Sequence, residues 1–276
     1  MKKIRISNII PQIALLLLGL LFIAPFVFML STSFKLPSEI FEMPPRLIPR
    51  VFTLENYAQA FMTIPFFRYT LNTFLITFAN VAGQLIIAPM IAYSLSLIDW
   101  SGKKIIFPLV LVGMMIPQQV TMIPLYMTFF RLGLTGSFWP LIIPAFLGIP
   151  SLYIFLLRQF FMGFPKSLIH AAKVDGASEI RIFYGIVLPL CKPALVAVSI
   201  FTFLYTWTDF LNPLLYLSRS EMYTLSIGLQ AFVRERYVEW GPLMAASFLF
   251  TLPVIILFFA AQRQFVEGIT LSGVKS

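Results

Sequence analysis

The sequence predicts an all-α integral membrane protein in which six helices cross the bilayer. Three observations predict it. Hydrophobic residues make up 59% of the 276-residue chain and charged residues only 11%, against roughly 25% charged in an average soluble domain. A soluble fold of this composition would expose more apolar surface than water tolerates. The apolar residues gather into six stretches, each close to the about 20 residues that cross the hydrocarbon core as a helix. The basic residues fall mostly between those stretches, where positive charge sets orientation.

The first stretch, 10–31, follows Lys2, Lys3 and Arg5, as a signal peptide would. Its apolar run is too long for a typical signal-peptide core and no small-residue cleavage site follows, so it reads as a retained anchor. Residues 32–68 form an outer loop in which Pro37, Pro44, Pro45, Pro49 and Pro65 forbid a continuous helix. The second stretch, 69–96, carries Asn72, Thr77, Asn80 and Gln84. At about 100° per residue these fall within roughly 140° of helical arc. Such a stripe either lines a solute path or faces a subunit, or it bonds neighbouring helices. Both readings keep its polar groups away from lipid.

The third stretch, 105–128, contains Pro117-Gln118-Gln119-Val120-Thr121 and then Pro124. Each proline frees a carbonyl and can kink the helix, and broken backbone at membrane depth survives only where protein or a wet cavity satisfies it. Gln118, Gln119 and Thr121 are therefore candidates for solute or gate contacts, the alternative being a structural kink. The fourth stretch is 137–160, the fifth 188–212 and the sixth 241–261. The fifth ends on Asp209 and Asn212, and Asp209 is the one acid inside a span. Intramembrane acids are costly and often functional. The tentative solute path is thus Asn80, Gln84, Gln118, Gln119, Thr121, Asp209 and Asn212.

Six spans put both termini on one side. A cytoplasmic N-terminus places 12 Lys and Arg inside and 8 outside, a modest bias in its favour. One cysteine, Cys191, allows no intrachain disulfide, and one histidine, His170, leaves no His/Cys metal cluster. No cofactor is expected. No G-x-x-x-x-G-K-[ST] phosphate loop is present, and Ser101-Gly102-Lys103 is too short to be one. Catalytic residues are therefore not expected, and energy must come from a partner. The net charge of +9 would suggest nucleic acid in a soluble chain, but here it serves orientation.

Between the fourth and fifth stretches lies a cytoplasmic loop, 161–187. Pro165 with Ser167 starts a helix, and Leu168, Ile169, Ala171, Ala172 and Val174 give it a small apolar face. Gly176 can take the left-handed conformation that ends it, and Ser178 can cap a second short helix running to Tyr184. The pattern alone also suits a helix lying on lipid headgroups.

The run Ala171-Ala172-x-x-Asp175-Gly176-Ala177, followed by Leu188-Pro189-Leu190 and Pro193, resembles the EAA loop of ATP-binding-cassette (ABC) importer permeases. Tyr205-Thr206-Trp207-Thr208-Asp209-Phe210-Leu211-Asn212-Pro213-Leu214 resembles the fifth span of their carbohydrate-uptake members, and Gln262-Arg263-x-Phe265-Val266-x-Gly268 with Gly273-Val274-Lys275 resembles their C-terminus. Asn56-Tyr57, Arg68-Tyr69 with Leu71-Asn72, and Trp240-Gly241 fit as well. The likeness covers nearly the whole chain and is nearest the second permease of maltose-like and glycerol-3-phosphate-like systems.

The resemblance implies a type I ABC importer permease fold: one transmembrane domain over 1–276 with a coupling loop at 165–184. It implies a second permease subunit, two copies of an ATPase subunit and an external solute-binding protein as partners, in a prokaryotic plasma membrane. In it, His170, Ala171, Ala172, Asp175, Gly176 and Ala177 would meet the ATPase. His170 stands where the family has Glu, so this subunit's polar contact would differ. A secondary transporter would predict internal repeats and several buried acids, and neither is found. A membrane enzyme would need a nucleophile–base pair or a metal cluster. The absence of Lys and Arg deep in the spans points to a neutral sugar rather than a phosphorylated solute, with glycerol 3-phosphate as the alternative.

Overall fold

The computed structural model describes residues 9–234 and 236–273, and their named elements are all helical. Lys2, Lys3, Arg5, Val274 and Lys275 lie outside the described residues. The chain divides into two compact units, Met1–Phe67 with Gly228–Ile255, and Arg68–Ile227 with Ile256–Ser276.

In the first unit, α1 (Ile9–Ser33) is apolar on every side, with Leu16, Leu21 and Phe22 all more than 60% exposed. Only lipid or another apolar helix is a good solvent for such a surface. The proline-rich loop after it is held by polar contacts rather than by regular structure. Asn56, on α2 (Glu55–Thr63), is buried and donates to the carbonyls of Ser33 (3.0 Å) and Lys35 (2.8 Å). Lys35 is itself buried, with its ammonium on the Arg46 carbonyl at 2.6 Å and over the Phe28 ring. Gly241 packs so closely on Asn56 that a Cβ there would strike the amide oxygen.

The second unit holds most of α3 (Phe66–Ser96), then α4 (Lys103–Met115), α5 (Gln118–Arg131), α6 (Trp139–Leu147) and α7 (Ser151–Met162). The helix-turn-helix follows as α8 (Lys166–Val174) and α9 (Glu179–Ile182), which runs on through a π-helical turn, Phe183–Val187, to Leu190. Then come α10 (Lys192–Trp207) and α11 (Leu211–Tyr216), while α12 (Trp240–Gly273) begins in the first unit and ends in the second.

Four of the six expected spans stand as segments long and apolar enough to cross a membrane: Pro11–Ser33, Phe66–Ser96, Trp139–Met162 and Trp240–Gln262. The other two are bent pairs. α4 and α5 meet at 98° at Pro117, and the segment Glu179–Leu190 meets α10 at 77°. The fifth span also ends sooner than its sequence suggests. Its helix stops at Trp207, so Asp209 and Asn212 sit at the junction with α11 rather than inside a span. Pro213 explains the stop: its missing N–H and its ring exclude a helix that would bond it to the Asp209 carbonyl.

One apolar cluster ties this unit together. It joins Ala92 and Tyr93 of α3, Leu157 and Phe161 of α7, Val198 of α10, and Ile169, Ile182 and Phe183 of the helix-turn-helix. α3 and α6 approach closely through Gly83, where a Cβ would lie 2.9 Å from the Ala145 carbonyl oxygen.

Candidate functional site

The breaks at Pro117 and Pro213 bring polar side chains together. Gln118 at the start of α5, Tyr205 near the end of α10, and Asp209 and Asn212 around the α10–α11 junction line two cavities, of about 130 Å³ and 320 Å³. Tyr205 donates its hydroxyl to Gln118 Oε1 at 2.6 Å, which leaves the Gln118 amide NH₂ to donate. Asp209 accepts from the Asn212 backbone N–H (3.2 Å) and side-chain amide (2.8 Å), so the carboxylate is held by the first turn of α11. Its own carbonyl accepts from Ser226 Oγ at 2.6 Å. No Lys or Arg lines either cavity. The wall thus offers amide donors, carboxylate and hydroxyl acceptors and an aromatic ring, the groups that hold a hydroxylated neutral molecule by hydrogen bonds and stacking.

Of the residues proposed for the path, Gln118, Gln119, Asp209 and Asn212 line the larger cavity, and Asn80 lines the smaller. Asn80 spends its amide on the Ile76 and Leu141 carbonyls, 2.8 and 2.9 Å away, joining α3 to α6. Asn72 likewise donates to the Glu221 and Tyr223 carbonyls, both at 3.0 Å. The stripe on α3 is in these two positions a set of bonds to neighbouring segments. Gln84 lines neither cavity, and its Oε1 is buried without a hydrogen-bond partner. Thr121 is exposed and bonds the Gln118 carbonyl of its own helix at 2.9 Å. Tyr205 completes the wall without having been singled out. Its signal was its spacing, one helical turn before Asp209.

The helix-turn-helix has the predicted construction. Pro165 precedes α8, Gly176 takes φ +75° in the turn, and Ser178 Oγ accepts from the Arg181 N–H at 3.3 Å. Ile169 and Ala172 of α8, with Ala177 after the turn, pack against the apolar cluster. His170, Ala171 and Asp175 are exposed, as is Val174 at 87%. Ala172 therefore packs partly against the cluster while Ala171, about 100° around the helix, is presented outward. An additional anchor was not foreseen. Glu179 bridges the turn to Lys173 at 2.5 Å and accepts from Tyr93 Oη of α3 at 2.6 Å. The Lys173 hydrogen bond first, then the Tyr93 bond, hold the Glu179 carboxyl below its usual range.

Comparison with known proteins agrees with these observations. The profile of the family described as binding-protein-dependent transport system inner membrane component matches residues 86–270. The chain is 34% identical over 269 residues to the arabinooligosaccharides transport system permease protein AraQ of Halalkalibacterium halodurans, covering 95% of this chain and 96% of that one. It is 30% identical to the sn-glycerol-3-phosphate transport system permease protein UgpE of Escherichia coli O1:K1 / APEC, with 84% of each chain covered. A solved chain from a bacterial ABC transporter involved in the import of the acidic polysaccharide alginate superposes with a TM-score of 0.82 at 22% identity, over 95% of this chain and 98% of that one.

Proposed function

Because this chain belongs to the binding-protein-dependent transport system inner membrane component family, and so is a multi-pass ABC importer permease of the plasma membrane, we propose that its solute is a neutral sugar delivered by an external binding protein. The observation that carries this reading is the cation-free wall of Gln118, Tyr205, Asp209 and Asn212. A phosphorylated solute would call for Arg or Lys at such a wall. The arabinooligosaccharide relative supports a sugar. The glycerol-3-phosphate relative keeps that solute as the second reading.

The same proposal gives the subunit its place in an assembly. ATP is hydrolysed in two ATPase copies, a second permease completes the path, and both termini face the cytoplasm. The transmembrane domain works as one permease over 1–276, with 165–184 as its coupling loop. The face of α8 that carries His170, Ala171 and Val174 docks on the ATPase, with Asp175, Gly176 and Ala177 shaping the turn beside it. Ile169, Ala172, Ile182 and Phe183 share one cluster with α3, α7 and α10, so a displacement of the loop moves the helices that flank the cavity.

The solute is tested with the binding protein that co-purifies with the chain, screened by thermal shift against neutral mono- and oligosaccharides and glycerol 3-phosphate. A rise in Tm with a neutral sugar is expected. A response to glycerol 3-phosphate alone would overturn the sugar reading in favour of the second.

A further inference from the structure

A third cavity, basic and of about 490 Å³, shares no residue with the polar wall and lies where the end of α3, the start of α4 and the end of α7 meet. Lys103, Lys104 and Arg158 line it, and the buried Leu95 with Phe107 gives it an apolar floor. Arg158 is fixed in place: its guanidinium lies 3.8 Å from the centre of the Phe107 ring, and its Nε donates to the Leu95 carbonyl at 3.3 Å. Lys103 donates to the Ile98 carbonyl at 3.1 Å and pairs at 2.5 Å with Asp99, whose side chain is 98% exposed. No carboxylate lines the cavity. Three cations there meet one acid, and that acid faces outward.

The position of this cavity decides what it would hold. It sits where three apolar helices end and the connecting segments begin, directly before the helix-turn-helix, since Phe164 also lines it. Trp100 lies in the same connection, partly exposed with its indole N–H on the Ser94 carbonyl at 3.0 Å, as an interfacial tryptophan lies. From the cavity the face of α4 that carries Lys104 and Pro108 runs on with Leu111 and Met115, and Met115 is 81% exposed. A site with a cationic lining, an apolar floor and an apolar track leading away matches an amphiphile with an anionic head. Free phosphate has no use for the floor or the track.

We propose that this cavity binds the headgroup of an anionic phospholipid, with Lys103, Lys104 and Arg158 on the phosphate and the acyl chains along α4. The lipid occupies the notch between α3, α4 and α7 beside the base of the coupling loop. It is a structural ligand, outside the solute path.

Native mass spectrometry of the detergent-purified full chain, titrated with phosphatidylglycerol or phosphatidylcholine, tests this without any transport assay, so its failure leaves the permease reading intact. The chain is expected to retain phosphatidylglycerol in preference. Lys103→Gln with Lys104→Gln should weaken that retention by about fivefold per cation removed, or roughly 25-fold together. Arg158→Gln should weaken it also, and Lys192→Gln, an exposed cation elsewhere on this unit, should not. Four results would each overturn the site: equal retention of the two lipids, an equal loss in Lys192→Gln, displacement by millimolar inorganic phosphate, or loss of a co-purifying ATPase from the double variant with lipid retention unchanged. The last would assign the cations to a protein contact.

Discussion

At the scale of single residues, Tyr205 and Asn80 separate two uses of a polar group in a membrane. Tyr205 Oη bonds Gln118 across the cavity wall, whereas Asn80 bonds the Leu141 carbonyl and holds α3 to α6. Tyr205→Phe should lower sugar uptake by about 2- to 12-fold, the range of one net hydrogen bond, with little change in thermal stability. Asn80→Leu should cost about 0.6 kcal/mol, typical of an interhelical bond in a membrane, and leave uptake within about twofold. Uptake by the assembled importer in vesicles, with Tm of the purified chain, checks both, and the reverse pattern would exchange the two assignments. The sequence put Asn80 on the path and did not single out Tyr205, so it could not tell these uses apart. Spacing reports which way a side chain points around its own helix, and says nothing of the carbonyl it meets on another.

Glu179 makes a pH prediction at the same scale. Its folded carboxyl is held below the usual 4.5 by Lys173 and then Tyr93. A group depressed in this way adds stability above its unfolded pKa and loses it as pH falls through the lower folded value. Amide protection across 165–184, taken relative to the intrinsic exchange rate at each pH, should therefore be unchanged from pH 8 to pH 6 and fall below about 4.5, and Glu179→Gln should show the lowered protection already at pH 7. The Lys173 pair is some 44% exposed, so its share is held to under about 1 kcal/mol. A loop whose exchange is the same in Glu179→Gln would remove this anchor from the account.

At the scale of elements, apolar length decided most of what could be read. Helices such as Pro11–Ser33 and Trp240–Gln262 were legible because lipid demands about 20 apolar residues in a row. The break at Pro117 was legible in place, yet its 98° angle was not, since the angle depends on what packs against the two halves. Asp209 and Asn212 were assigned to a span because Pro213 was passed over as a helix stop. The turn between α8 and α9 was legible in full: Gly176 was expected in the left-handed region and lies at φ +75°. Gly176→Val has open space for its side chain but should cost about 1–2 kcal/mol in backbone conformation. That cost should appear as raised exchange at 165–184 and uncoupled, lowered ATP-driven uptake, with the α3 and α10 amides still protected. Loss of protection throughout the chain would mean that the turn supports the whole fold rather than the loop.

At the scale of the whole molecule, the proposed function makes the chain a transmitter between two surfaces. One is the outward face of α8, apolar and small-residued around Ala171 and Val174. The other is the polar wall at Gln118, Tyr205, Asp209 and Asn212. Between them lies a single packed cluster, and packed cores move between discrete arrangements rather than stretch. The central claim is that this α8 face docks on an ATPase, and affinity purification of the tagged chain from native membranes in mild detergent, with mass spectrometry of what accompanies it, tests it most directly. The wild type should bring down an ATP-binding-cassette ATPase and a second permease. Val174→Glu, a change at an 87% exposed position, should lose the ATPase and keep the second permease. Recovery of the chain alone or as a homodimer in several detergents, or of the ATPase undiminished with Val174→Glu, would contradict the account.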